Sequence, residues 1–397
     1  MIPRFAQRMN TVQPSAVGEL LALGADPSII SFGGGYPDAT LFPKDQLESV
    51  FREVIQSAGG WAMQYAPSDG LPRLREQIAD LMIADGTQCR AEDVLILQGS
   101  QQGLDFAAKM FVDPGDVVIT EDPTFLGALI AFNPSEPKYV AVPMDDQGMR
   151  IDLLEVALKA NRRARMIYTV PDFQNPTGVT LSLSRRKRLM ELANSYDVIV
   201  LEDTPYRHIR FAGQTLPTLK SMDTQGRVIY LGSFSKVLVP ALRIGWAVAA
   251  PEILKKMGLL KVAADTQTST LNMAATSLFL DRYDLNVHIA MLRTAYRRKK
   301  DVMLDAIRQH FPQEVRLTDP EGGLFTWATF PESFDATAFM RDVALPQAHV
   351  AYVPGATFFP VSQRANHARL NYSAQSDTRI RQGIAALGAA LKTHPFP

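Results

Sequence analysis

A chain of 397 residues with 46% hydrophobic and 21% charged positions is long enough to bury a large core, and its length suits two or three domains. Its 41 basic and 41 acidic residues cancel and form no block of like charge, which argues against nucleic acid or an anionic membrane as a partner. One cysteine, Cys89, excludes an internal disulfide framework; no apolar run approaches membrane-spanning length and the opening MIPRFAQRMN lacks the apolar core of an export signal, so a cytoplasmic protein is expected.

In chain order, PSAVGELLALG within the first 30 residues predicts a helix. Short runs rich in Val, Ile and Leu follow as VLIL (94–97), VVIT (117–120), YVAV (139–142), MIYTV (166–170), VIVLE (198–202), VIYLG (228–232) and IGWAVAA (244–250), most of them separated by helix-like stretches. Continuous rather than alternating hydrophobicity means burial on both faces, which predicts an α/β fold with a mostly parallel, seven-stranded sheet covered by helices. Past residue 280 the texture changes: Ile289, Leu292, Tyr296, Met303 and Ile307 fall at helical spacing, followed by GGLFTWATF and a smaller α+β unit. The division expected is 31–285 for a large unit, with 1–30 and 286–397 forming a discontinuous small one.

Ligands of an open α/β sheet bind beyond the carboxyl ends of its strands, so the residues there carry the functional reading. VLIL runs into QGSQQG (98–103), which suits either an anion at a helix N-terminus or a plain strand-to-helix turn. MIYTV runs into PDFQNPTG, presenting Asn175 in what by itself is a proline turn. VIVLE delivers Asp203 and Tyr206, the carboxylate serving either as a helix cap or as a buried charge that needs a partner. VIYLG delivers Ser233, Ser235 and Lys236, with Arg243 seven residues on at the start of another buried run. A desolvated lysine near other cations has a lowered pKa and becomes a nucleophilic amine able to form a Schiff base. Together these ends specify a ligand with an aldehyde for Lys236, a phosphate for the Ser/Arg/Gly-rich turns and a ring nitrogen for Asp203. Pyridoxal 5′-phosphate has all three.

Several ordered motifs carry a family resemblance: FGGGYPDATLFP (32–43), YAPSDGLPRLRE (65–76), GSQQG, NPTG, EDTPY, SFSKVLVPALRIGW and ARLNYS (368–373). Over nearly its whole length the chain resembles class I/II aminotransferases of PLP fold type I, in the branch that includes 2-aminoadipate and kynurenine aminotransferases. The resemblance implies that Lys236 carries the cofactor and moves the proton, that Asp203 pairs with the ring nitrogen, and that Asn175 and Tyr206 bond the ring's phenolic oxygen. It implies a phosphate cup of Ser100, Gln101, Ser233, Ser235 and Arg243, with Tyr65 reaching the phosphate of a neighbouring subunit in an obligate homodimer. Arg369 would grip the substrate α-carboxylate, with Asn175, Gly34 and Gly18 beside the substrate. Two positions depart from the branch. Phe125 stands where a tyrosine usually stacks on the cofactor, keeping the ring and losing a hydroxyl. Gly18 stands where an arginine often reaches an acidic substrate, which points to a large neutral or aromatic amino donor, with a 2-oxo acid such as 2-oxoglutarate as acceptor.

Other readings fit less well. GGG at 33–35 is not the G-x-G-x-x-G of a nicotinamide dehydrogenase. The six histidines, His208, His288, His310, His349, His367 and His394, have no close ligand spacing and read as surface or capping residues rather than a metal site. A PLP-sensing regulator would need a winged-helix domain ahead of FGGGYPD. A PLP lyase, racemase or decarboxylase on the same fold is the nearest alternative.

Overall fold

All seven apolar runs become strands of one sheet in the computed structural model, which describes residues 4–12, 26–57, 60–394 and 396. Across the sheet the order is Val94–Leu97, Gly245–Val248, Val228–Ser233, Ile199–Asp203, Ala164–Thr169, Val117–Asp122, Lys138–Asp145 and Gly148–Met149. Gly245–Val248 and the terminal Gly148–Met149 run against the direction of the other six strands. The eighth strand corrects the expected seven: it is two residues long and folds back from Lys138–Asp145, too short to leave an apolar run. Val94–Leu97, Val117–Asp122 and Val228–Ser233 are buried throughout, the burial on both faces that their unbroken apolar sequence requires.

The helical spacing read after residue 280 becomes Leu285–His310, in which Ile289, Leu292, Tyr296, Met303 and Ile307 are all buried. Asp284 caps its start by accepting from Asn286 N, and Arg308 and His310 in its last turn complement the helix dipole. It packs against Asp377–Thr393. Beside this pair lies a four-stranded antiparallel sheet in the order Arg316–Leu317, Phe325–Thr329, His367–Asn371, Val353–Pro354. Ile30–Ser31 pairs in parallel with Val350–Ala351, which ties the chain near residue 30 to the C-terminal unit. The turn Gln7–Thr11 meets the large unit instead, where Thr11 Oγ1 donates to Asn133 O at 3.0 Å. The helix expected in PSAVGELLALG lies outside the described residues. Among those described, no helix is long and apolar enough to cross a membrane.

A buried charge cluster ties the layers together. Asp172, just past the strand Ala164–Thr169, accepts from Arg186 at 2.7 Å and Arg207 at 3.0 Å and lies 3.6 Å from Arg210. Arg186 is fully buried on the helix Leu183–Tyr196; Arg207 also holds Asp85, and Arg210 reaches Glu321 of the C-terminal unit at 2.7 Å. A carboxylate facing three guanidiniums out of water is costly to remove, because the fully buried Arg186 stays behind with no carboxylate among the described residues and Arg207 and Arg210 keep only their outer partners. Asp172→Ala is therefore expected to destabilise the fold by about 3–5 kcal/mol. Calorimetry should show a lowered thermal midpoint; an unchanged one would mean that water reaches these arginines.

Candidate active site

The strand Val94–Leu97 turns through Gly99, at φ +77°, into the helix Ser100–Phe111. A Cβ on Gly99 would lie 2.6 Å from Arg243 Nη2, and one on Gly245 would lie 2.6 Å from Ser100 N. Glycine at both positions is what lets the arginine and the helix start converge. Arg243 follows the turn Pro240–Leu242 in the left-handed region, at φ 56°, and its Nη2 donates to Gln98 O at 3.3 Å. Opposite it, Ser233 Oγ donates to Ser235 Oγ at 2.9 Å and accepts from Ser235 N at 3.0 Å. Two hydroxyls, an arginine and a helix N-terminus make a cup for a phosphate-sized anion. Gln101, expected in this cup, turns its amide away to donate to Gly127 O at 2.7 Å, leaving only its place in the first helical turn to serve there.

The strand Ile199–Asp203 ends in a buried carboxylate. Asp203 Oδ2 accepts from Tyr168 OH at 3.0 Å, while Oδ1 has no hydrogen-bond partner among the described residues. Burial pushes this carboxyl up to about 7, against the Tyr168 hydrogen bond and the charge of Lys236. Tyr206, also buried, accepts from Asn175 Nδ2 at 3.1 Å. Asn175 Oδ1 in turn accepts from Arg369 Nη1 at 2.8 Å.

Lys236 sits in the turn after Val228–Ser233 and donates to Gly35 O at 2.8 Å. Burial first, then Arg369 and Arg243, push its amine down to about 8 despite the pull of Asp203. Arg369, in the strand His367–Asn371, donates to Gly33 O at 2.6 Å and is sandwiched by aromatic rings, 4.3 Å from the centroid of Phe325 and 5.1 Å from that of Phe358. Burial lowers it to about 10, which leaves it cationic at neutral pH.

Lys236, Ser235, Arg243, Phe125, Gly34 and Arg369 all line one cavity of about 240 Å³. Of the other expected residues, Asn175 and Tyr206 are joined to Arg369 by the hydrogen bonds above, and Asp203 is linked to Lys236 through charge alone. Tyr65 stands apart, 80% exposed, its backbone held where Thr270 Oγ1 donates to Gln64 O at 2.8 Å. Gly18 lies outside the described residues. A larger cleft of about 650 Å³, walled by Trp327, Phe359 and His367, contains none of the expected site residues. His367 is buried there, its ring stacked 5.2 Å from Trp327, which corrects its reading as a surface residue. The sequence reading missed Tyr168, Phe325, Phe358 and the carbonyls of Gly33 and Gly35. Only the glycine run at 33–35 carried a signal, as a place where backbone approaches something closely.

The arrangement couples an amine that is neutral in large part near pH 8 to a carboxylate with one oxygen free, an anion cup and a fixed cation beside them. An unpaired buried carboxylate oxygen calls for a donor or a cation, so a ligand with an aldehyde, a protonated ring nitrogen and a phosphate fits these residues.

Residues 34–387 match the sequence model of the family described as aminotransferase class I and II. Aromatic-amino-acid aminotransferase 1 of Thermococcus litoralis is 38% identical over 393 residues, covering 98% of this chain and 94% of that protein. The crystal structure of LysN, the α-aminoadipate aminotransferase of Thermus thermophilus complexed with N-(5′-phosphopyridoxyl)-L-leucine, superposes with a TM-score of 0.91 at 37% identity, covering 98% of this chain and 97% of that one. Kynurenine aminotransferase of Pyrococcus horikoshii, crystallised with PMP, gives 0.93 at 38% identity over 98% and 97%.

The lowered Lys236 pKa has a direct chemical readout. At pH 8 roughly half of an amine that titrates at about 8 is neutral, against under about 1% for an ordinary lysine. In ligand-free protein a small acylating reagent should modify Lys236 well ahead of the surface lysines, with the advantage fading as pH rises past 10. Peptide mapping that finds Lys236 no faster than the rest at pH 8 would refute the shift.

Proposed function

The chain belongs to the aminotransferase class I and II family and is a pyridoxal 5′-phosphate-dependent aminotransferase, and from that premise we propose that it moves the amino group of a large neutral or aromatic amino acid to a 2-oxo acid such as 2-oxoglutarate. The observation that carries the substrate class is the cavity wall. Its only cations among the described residues are Lys236, Arg243 and Arg369, each with a task of its own; Ser235 and Tyr36 add hydroxyls, and Phe125, Leu126, Val353 and Phe358 supply apolar surface. No further cation among the described residues there answers a second substrate carboxylate.

Pyridoxal phosphate, when bound, supplies a carbonyl carbon that accepts the amino group and a ring that withdraws electrons from the substrate Cα. The chain's residues divide the remaining work. Lys236 holds the cofactor and then carries the proton to and from that carbon, a task suited to an amine with a pKa near working pH. Asp203 Oδ1 keeps the ring nitrogen protonated. Asn175 and Tyr206 bond the phenolic oxygen, Phe125 stacks on the ring, and Ser100, Gln101, Ser233, Ser235 and Arg243 surround the phosphate. Arg369 binds the α-carboxylate as a two-pronged donor, with Gly34 leaving room beside it. Residues 31–285 form the cofactor-holding unit and 286–397 the smaller unit, joined by the chain at residue 30. The protein works in the cytoplasm as a homodimer in which Tyr65, exposed on the single chain, completes the partner subunit's phosphate cup.

The substrate class is tested by mixing the holoenzyme with single amino acids and following loss of the cofactor's visible absorption. Phenylalanine, kynurenine, leucine or methionine should react faster than 2-aminoadipate; the reverse order would overturn the proposal. Gly18→Arg should move preference toward 2-aminoadipate by about ten- to a hundredfold, the worth of one charge-assisted hydrogen bond of about 1.5–3 kcal/mol.

Assembly has its own check. Lys236→Ala and a Tyr65→Ala variant should each be nearly inactive as homodimers, and mixing them should restore part of the activity through one intact composite site. No recovery in verified heterodimers would refute a shared site.

A further inference from the structure

The strand Val117–Asp122 brings a second buried carboxylate close to the site without placing it in the cavity wall. Glu121 is 1% exposed, and three donors converge on it. Thr169 Oγ1 donates to one oxygen at 2.6 Å; Val170 N at 3.3 Å and Gln174 Nε2 at 3.0 Å donate to the other. No role assigned above uses it.

Gln174 is the informative partner. Its side chain is fully buried and pinned at both ends. Nε2 also donates to Pro123 O at 2.8 Å, while Oε1 accepts from Thr177 N at 3.0 Å and Thr177 Oγ1 at 2.7 Å. Its backbone closes the same turn, with Gln174 N donating to Val179 O at 2.8 Å and Gly178 N donating to Gln174 O at 2.5 Å. The turn 174–178 is thus wrapped around one amide that Pro123 O and Thr177 orient and that Glu121 holds from outside. Asn175 is the next residue, and both of its amide atoms are committed to the site, one to Tyr206 and one to Arg369.

We propose that Glu121 is a positioning residue for Asn175: by fixing the Gln174 amide it closes the 174–178 turn and so aims Asn175 at Tyr206 and Arg369 together. The inference rests on the reading of Asn175 as a cofactor and substrate contact. The chemistry required of position 121 follows from its partners. Gln174 cannot reverse its amide, because its oxygen faces a backbone N–H that can only donate. Position 121 must therefore present an acceptor to Gln174 and Val170. On the other side it meets a hydroxyl, which can donate or accept. An acceptor on one side is enough, so a neutral glutamine serves as well as a carboxylate. Burial and the charge of Asp203 push Glu121 up to about 7, and both of its protonation states satisfy the same partners.

The test uses the holoenzyme with phenylalanine as donor and reads two quantities: kcat/KM, and the pH midpoint of the cofactor's visible band. E121Q should stay within about twofold of the parent in kcat/KM, since it keeps the acceptor. E121L, and Q174M as an independent break in the same relay, should each lose about ten- to a hundredfold and shift the midpoint as N175A does. In the N175A background either change should cost less than about twofold more, because residues in one chain of action are not additive. Additive losses would overturn the proposal, as would E121Q falling as far as E121L or Q174M behaving like the parent. If E121L does not fold, Q174M and its double variant decide alone. N175A with parental activity and an unmoved midpoint would instead overturn the reading of Asn175, which separates the two failures.

Discussion

Arg369 must stay charged while only 7% exposed, and the way that charge is satisfied sets how the two sheets meet. An isolated buried guanidinium would be costly; here it gains two carbonyl-type acceptors and two aromatic faces. Each comes from a different part of the chain: Gly33 from the N-terminal glycine run, Asn175 from a loop of the large sheet, Phe325 from the neighbouring small strand and Phe358 from a turn. Trp327 pairs in register with Arg369 and packs edge-on against Phe358, so the small sheet supports the same group from beneath. Moving any one of these segments would strip a partner from a charge that water cannot easily reach. The position of this cation is thus over-determined by the fold alone.

Glycines and short polar side chains do the corresponding work on the anion side. The cup around Arg243 exists because Gly99 and Gly245 lack side chains where two backbone segments nearly touch. The clamp on the loop 33–38 is polar: Lys299 donates to Asp38 and to Ser373 O at 2.8 Å, Ser373 Oγ donates to Tyr36 O at 2.6 Å, and Asp38 N donates to Tyr296 OH at 3.1 Å. That loop supplies the carbonyls that meet both Lys236 and Arg369. Its anchoring through the helix Leu285–His310 carries rigidity from the C-terminal unit to the reacting groups.

Most of this was legible in the sequence where chain chemistry changes abruptly. A buried parallel strand must be apolar to its end, so polar residues just after each run are candidates for the site, and Asp203, Asn175 and Lys236 stood out for that reason, although Asp172 lies nearer its run than Asn175 and serves the fold instead. Tyr168 did not, because a tyrosine inside MIYTV is an ordinary strand residue. Its role depends on Ala164–Thr169 lying beside Ile199–Asp203, a neighbour relation that periodicity does not encode. Glu121 was hidden in the same way, as one more polar residue after an apolar run. The cluster around Asp172 joins positions 85, 172, 186, 207, 210 and 321, most of them too far apart in sequence for any helical or strand period to link them. His367 failed for a different reason: a lone histidine in a short strand gives no sign of whether aromatic rings will cover it.

The electrostatics of Lys236 and Asp203 show which force governs the site. If mutual attraction dominated, the lysine would rise and the aspartate fall. Both move the other way, the amine down to about 8 and the carboxyl up to about 7, so withdrawal from water outweighs their pull on each other. Linkage then makes proton affinity and ligand affinity two sides of one quantity. A cationic group beside Asp203 Oδ1 would lower the aspartate again, and the energy that burial took from the carboxylate would be returned as binding. A carboxylate already satisfied by arginine, as Asp172 is, would have nothing left to return. The fold therefore saturates one buried aspartate to hold its layers together and leaves another with a free oxygen, and that difference in pairing separates a carboxylate spent on structure from one left open to a partner.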